Sequence, residues 1–121
     1  MLLKKLSERI LRGTAQNTYP AFTQNAITLL EARYLRRENG KPIEKPCDMF
    51  ARVASCMALI DEQYGATDAD IIDRATEFYD MMMNQYFLPN TPTLINAGRD
   101  RGQLSACFVV SVPDDMEGIF E

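Results

Sequence analysis

The sequence predicts a mainly α-helical fold with one C-terminal β-strand. Three observations lead there: apolar residues recur at three- and four-residue spacing over long stretches, turn residues punctuate those stretches, and a two-residue alternation is read only in LSACFVVSV. The chain has 121 residues, 46% of them hydrophobic, enough for one small domain with a core. With 17 acidic and 13 basic side chains and a pI near 4.8, no basic field is available to condense on nucleic acid.

The opening MLLKKLSERILRG places Leu2, Leu3, Leu6 and Ile10 on one face, with Gly13 expected to cap a short helix in the left-handed conformation. Its charges recur too often for a signal peptide or a membrane span. Thr14 to Pro20 reads as a polar connector. From about Phe22, the positions Phe22, Ala26, Ile27, Leu29, Leu30 and Tyr34 line a second helix that runs out near Arg36 and Arg37, where basic residues suit the negative end of the dipole.

Asn39-Gly40 and the two prolines within Glu38 to Pro46 predict a tight hairpin or short loop. Asp48 is expected to cap the third helix, whose stripe is Met49, Val53, Cys56, Met57, Ile60 and Tyr64, with Gly65 as the stop. A Thr-x-x-Asp pattern at Thr67 and Asp70 starts the fourth, with Ile71, Ala75, Phe78, Tyr79, Met82 and Tyr86 on one face and Pro89 ending it. Asp68, Asp70 and Asp73 then stabilise the first turn and are not read as metal ligands. Met81 to Met83 suit core packing and an adaptable interface better than a sulfur ligand site.

NTPTLINAGRDRGQ, rich in Pro, Gly and short polar residues, is expected to be irregular. LSACFVVSV follows as a strand, with Leu104, Ala106, Phe108, Val110 and Val112 on one side and Ser105, Cys107, Val109 and Ser111 on the other. Pro113 closes it, and Asp114 or Asp115 would cap a helix starting at Met116. A strand without a partner and a helix with little room before Glu121 suggest a piece of something larger, or a split subunit. The division falls at residues 1–88, helical, and 89–121, a loop and strand left incomplete.

Three cysteines, at 47, 56 and 107, form no CxxC, and the chain has no His, which argues against a structural zinc site. The odd count, without a secretory leader, points to reduced thiols in the cytoplasm. Cys47, in a turn, and Cys56, on a core-facing stripe, read as structural. Cys107, among small residues, is placed to look into a cavity, where a thiol can act as reductant or nucleophile. A buried core Cys fits the same position, and periodicity alone favours it. The hydroxyls and amides around Asn90-Thr91-Pro92-Thr93 and Asn96-Ala97-Gly98 can hold a phosphate, or merely satisfy the turn's own backbone. Composition does not choose between these.

FLPNTPTLINAG followed by GQLSACFVVSVPDDMEGIFE resembles the N-terminal part of the large catalytic chain of ribonucleotide reductase, most closely in its adenosylcobalamin-dependent class. NAITLLEARYLRRENGKPIEKPCDMFARVASCMA is similar to the helical region before that motif, so the likeness covers roughly residues 22 to 121. It implies a terminal strand that joins the α/β barrel of a complete enzyme. In that family a thiyl radical takes the substrate's 3′-hydrogen, and two further cysteines supply electrons and become a disulfide.

Cys107 matches one of that reducing pair. Thr91 matches a residue that holds substrate phosphates, while Ala106 with Cys107 would line the ribose end. The resemblance also implies a ribonucleotide substrate, a thioredoxin-like reductant, the remainder of the reductase chain or a second subunit, and a homo-oligomer. Adenosylcobalamin would be bound outside this chain, which carries no metal site and engages neither nucleic acid nor membrane. The alternatives are the class served by a separate metal-containing radical subunit, and a helical interaction module that has lost catalysis.

Overall fold

In the computed structural model, residues 2–14, 22–112 and 114 are described. They form five helices, α1 (Leu3–Thr14), α2 (Gln24–Arg33), α3 (Pro46–Leu59), α4 (Asp68–Met83) and α5 (Thr91–Asn96), with a small hairpin of β1 (Arg37–Glu38) and β2 (Lys41–Pro42). The mainly α expectation holds. The connector expected at Thr14 to Pro20 and the helix expected from Met116 fall largely or wholly outside the described residues.

Helix α3 is the hub, packed between α1 and α4 with α5 across it. The expected stripe is too narrow a description of it. Phe50, Ala51, Arg52, Ala54, Ser55 and Ala58 are buried along with Met49 and Val53, because neighbours cover the helix on several sides. Leu6 and Ile10 of α1 seal one side, and the Ser7 hydroxyl meets that of Ser55 at 3.1 Å across the α1/α3 contact. Ile71, Ala75, Tyr79, Met82 and Met83 of α4 seal the other. Burying the Leu, Ile and Met side chains among these contributes about 1.5–3 kcal/mol each.

Several boundaries differ from expectation for local reasons. Gly13 lies inside α1 and has no positive φ, so it makes no left-handed cap. Helix α2 begins after Thr23, whose hydroxyl accepts from the Ala26 N–H at 3.1 Å. It ends at Arg33, where the N–H groups of Tyr34 and Leu35 both reach the Leu30 carbonyl and Leu35 turns into the core. Arg37 therefore sits in the hairpin, yet its guanidinium donates back to the Glu31 carbonyl near the end of α2. None of the residues of α2 is fully buried; Leu30 and the flanking Phe22 and Tyr34 pack partly on the core, and Phe22 stacks on Phe50 at 5.9 Å.

The hairpin forms as the Asn-Gly pair predicts, with φ of 51° at Asn39 and 77° at Gly40. Asp48 does not precede α3. It sits in the first turn after Pro46 and accepts the Lys45 N–H at 2.8 Å, which also places Cys47 inside the helix and not in a turn. From Ile60 to Tyr64 the chain tightens into a 3₁₀ turn, and the change of period carries Ile60 and Tyr64 out to solvent before Gly65 stops it at φ 86°.

Thr67 and Asp70 form the reciprocal cap expected of them. Asp68 and Asp70 occupy the first turn of α4. The helix ends at Met83, well before Pro89, because Asn84 caps it and Gln85 takes a φ of 61°. Tyr86 lies past that cap and is exposed.

Two further corrections concern the C-terminal third. Residues 91–96, expected to be irregular, are helical: Asn90 caps α5 by accepting the Thr93 N–H, and Pro92 sits in the first turn, where its missing N–H costs nothing. The alternating segment 104–112 forms no strand and is mostly exposed, since no described strand is available to pair with it.

A buried ion pair joins these parts. Arg52, from α3, meets Glu44 at 2.8 Å with both side chains below 10% exposed, and donates to the Ala97 carbonyl at 2.7 Å and the Leu94 carbonyl at 3.0 Å. Glu44 also accepts the Arg36 N–H at 2.9 Å. Replacing Arg52 by Ala strands a buried carboxylate and two carbonyls. Urea denaturation is expected to show a loss of about 3–5 kcal/mol, with Glu44→Gln/Arg52→Met losing less than Arg52→Ala alone. Equal losses would remove the coupling.

The Asp70 carboxyl titrates below its ordinary 3.8, first because it accepts the Thr67 hydroxyl and then because it accepts the Thr67 N–H. A depressed folded value means stability that is present above 3.8 and lost as pH falls through the folded value. The advantage in thermal midpoint over Asp70→Asn is expected to shrink on acidification from about pH 6 to about pH 2. A constant difference over that range contradicts the cap's role.

Candidate functional site

The site is built on α5 and the segment that follows it. Asn90 uses both ends of its amide: Oδ1 accepts from Thr93, while Nδ2 donates to the Leu104 carbonyl at 3.2 Å. The Thr93 hydroxyl approaches the same carbonyl at 3.1 Å. Asn96, at the end of the helix, donates to the Gln103 carbonyl at 2.9 Å. One short helix thereby grips the backbone immediately before Ser105, Ala106 and Cys107.

Helix α5 is itself fixed from beneath. Leu94 and Ala97 are in the core, and the carbonyls of both end on Arg52. Gly98, at φ 83°, lets the turn pass over that side chain: a Cβ there would lie 2.9 Å from Leu3 Cδ2 and 3.2 Å from Arg52 Cγ. Glycine at 98 thus suits both the positive φ and the close approach of the two side chains.

Thr91, at the first position of α5, is exposed, and its hydroxyl lies 3.1 Å from the Tyr34 hydroxyl. Ala106 and Cys107 are exposed as well. The structure brings Thr91 and the stem of the Cys107 segment onto one helix, through Asn90, Thr93 and Asn96. It does not gather Thr91, Ala106 and Cys107 around either apolar groove of the helical body. Those grooves hold about 390 Å³ beside Met57, Phe78 and Met81 and about 480 Å³ beside Phe22, Leu30 and Leu88.

Sequence reasoning missed Arg52, Glu44 and Tyr34 as positioning groups. Arg52 offered no signal beyond a lone cation inside an apolar run, and Tyr34 was read as part of a stripe. The Asn90 cap was visible in principle, as Asn three residues before Thr with Pro between.

All three cysteines are free. Cys56 is half-buried against the core, consistent with a structural role. Burial pushes the Cys47 thiol above its ordinary 9.0, and the neighbouring Asp48 carboxylate pushes the same way. Met82 and Met83 are core residues while Met81 is 37% exposed. Among the described residues, no group of three or more His, Cys, Asp or Glu is placed to hold a metal ion, and no helix is long and apolar enough to cross a membrane.

These differences predict an order of thiol reactivity. Iodoacetamide near neutral pH is expected to label Cys107 first and Cys47 much more slowly, read by peptide mass spectrometry against time. Cys107→Ser should delete the fast phase. A fast phase that maps to Cys47 contradicts the assignment.

A family model described as "Ribonucleotide reductase, all-alpha domain" matches residues 20–102, which takes in α2 through α5 but not Ala106 or Cys107. A vitamin B12-dependent ribonucleoside-diphosphate reductase of Mycobacterium tuberculosis is 38% identical over 96 residues, covering 78% of this chain and 14% of the relative. One of the same name from Thermoplasma acidophilum is 33% identical, covering 82% of this chain and 20% of the relative. The ribonucleoside-diphosphate reductase large chain of Schizosaccharomyces pombe is 42% identical over 103 residues, covering 83% and 12%. The chain thus spans at most about a fifth of the length of these relatives. With the match spanning residues 20–102 and the described residues there mainly helical, the chain belongs to the ribonucleotide reductase all-alpha domain family.

Proposed function

We infer that this chain supplies the N-terminal part of a ribonucleotide reductase, which replaces the 2′-hydroxyl of a ribonucleotide by hydrogen for DNA synthesis, and that alone it is inactive. The observation that carries the reading is the α5 clamp: Asn90, Thr93 and Asn96 hold residues 103 and 104 by their carbonyls, so Thr91 and the segment that bears Cys107 leave the same short helix. Reaction at contact distance needs such fixed origins.

Residues 1–88 form the scaffold in this reading and 89–121 the substrate loop and first barrel strand. Thr91 donates to a phosphate oxygen, and Ala106 with Cys107 lines the ribose. In the overall balance two thiols lose two protons and two electrons and become a disulfide, the 2′-hydroxyl leaves as water, and a hydrogen takes its place. Cys107 is one of those thiols; a thioredoxin-like reductant restores it. The remainder of the barrel, a homo-oligomeric assembly and a cytoplasmic setting complete the picture.

The radical source is read as adenosylcobalamin, on the names of the Mycobacterium and Thermoplasma relatives. In this reading no residue of this chain is assigned to that cofactor, and its binding is placed in other parts of the enzyme. The yeast relative's name, without reference to vitamin B12, favours a second reading in which a separate radical subunit serves the same chain.

In the complete reductase, Cys107→Ser is expected to abolish multiple turnover with thioredoxin or a small dithiol, measured as deoxynucleotide formed per enzyme. Sustained turnover by that variant would refute the role of Cys107. Adenosylcobalamin added to the reconstituted enzyme should support turnover without a second radical protein; a requirement for that protein selects the second reading.

A further inference from the structure

Tyr34 lies at the end of α2, far from α5 in sequence, and its backbone is held there by the N–H bond to the Leu30 carbonyl at 2.9 Å. Its half-buried ring shares a groove with Phe22, Leu30, Phe50 and Leu94, the last of these from α5 itself. The apolar body of the side chain is therefore fixed, while its hydroxyl emerges at 3.1 Å from the Thr91 hydroxyl, 57 residues away. An aromatic ring with a wet polar tip is suited to aiming one hydrogen bond.

We propose that Tyr34 is the positioning residue for the Thr91 hydroxyl and fixes its proton toward the phosphate of the nucleotide. This rests on the reading of Thr91 as a phosphate ligand. An ionised phosphate oxygen only accepts, so Thr91 must donate its single proton to it and can then receive from Tyr34 only through a lone pair. Binding thereby sets the direction of the pair: the phenol donates to Thr91 Oγ1, and Thr91 donates to phosphate. The chain of two hydroxyls polarises in that sense, which strengthens the outer bond. Without the phenol, the threonine rotor is free to point its proton elsewhere. The chemistry at the ribose is untouched, so the effect belongs to substrate affinity and not to the turnover step.

Tyr34→Phe removes one oxygen and keeps the ring, so folding is retained. In the complete reductase, the variant is expected to raise KM for the nucleotide about three- to tenfold with kcat unchanged. Thr91→Val should raise KM by about tenfold or more, and Tyr34→Phe should add nothing in that background. A Tyr34→Phe enzyme with unaltered KM, or one whose effect is the same with and without the Thr91 hydroxyl, overturns the positioning role. If Thr91→Val itself leaves KM unchanged, the phosphate reading of Thr91 fails, and the proposal about Tyr34 falls with it.

Discussion

The guanidinium of Arg52 is the constraint on which the arrangement of the site depends. It sits in the middle of the most buried helix, where an unpaired charge would be prohibitive, and every direction it points supplies an acceptor: both Glu44 oxygens, the Leu94 carbonyl and the Ala97 carbonyl. The carbonyls belong to the last turn of α5 and to Ala97, the residue that caps it, and at six residues the helix is too short to satisfy them within itself or to persist alone. Arg52 thus completes α5 and ties it to α3. Glu44 extends the link to the chain leaving the hairpin and, through the Arg36 N–H, to the strand entering it. Such a pair is a poor source of net stability, because desolvation offsets most of the attraction. What it contributes is a single permitted orientation of α5, since any rotation leaves charge unmatched.

What was legible in the sequence was what local chemistry decides. The Asn39-Gly40 hairpin and the Thr67/Asp70 cap each depend on a few adjacent residues, and both formed as read. The third and fourth helices were legible as elements, but their faces were not. Ile60 and Tyr64 left the core when the period tightened, and Tyr86 lay beyond a cap set by Asn84 and Gln85. Helix α5 was missed for a different reason: Pro92 and Gly98 dominate the composition of 90–103, although one stands where helices admit proline and the other follows the helix end. Arg52 was invisible because nothing local distinguishes a buried cation from a solvated one.

The candidate site divides along the same line. Thr91 could be picked out by its motif, but its partner Tyr34 is 57 residues distant, and only the packing of α2 along the core brings the two hydroxyls together. The clamp on Leu104 and Gln103 likewise depends on a turn at 98–102 that returns the chain antiparallel to α5, helped by the Asn96 carbonyl accepting from Arg99. The motif contains the atoms of the site. The tertiary contacts determine which way those atoms face.

The segment 104–112 shows how far local pattern can go without a partner. Its sequence reads as a strand with one apolar face, yet Phe108, Val109, Val110 and Val112 are all more than half exposed. Helices close their hydrogen bonds within themselves, whereas a strand's backbone groups need a neighbour, so alternation specifies two faces but supplies no ladder. The neighbour cannot be β1 or β2: each is two residues long and already spends its pairing on the hairpin turn. Exposure of such a segment is an association hazard unless an adjoining sheet takes it up. What the described residues supply is its point of departure, held at Leu104 from Asn90 and Thr93, so that any sheet receiving the segment meets Cys107 only a short, fixed distance along it. The helical body and the segment that carries Cys107 are coupled at that anchor, together with the Asn96 bond to the Gln103 carbonyl and the packing of Leu104 on the core.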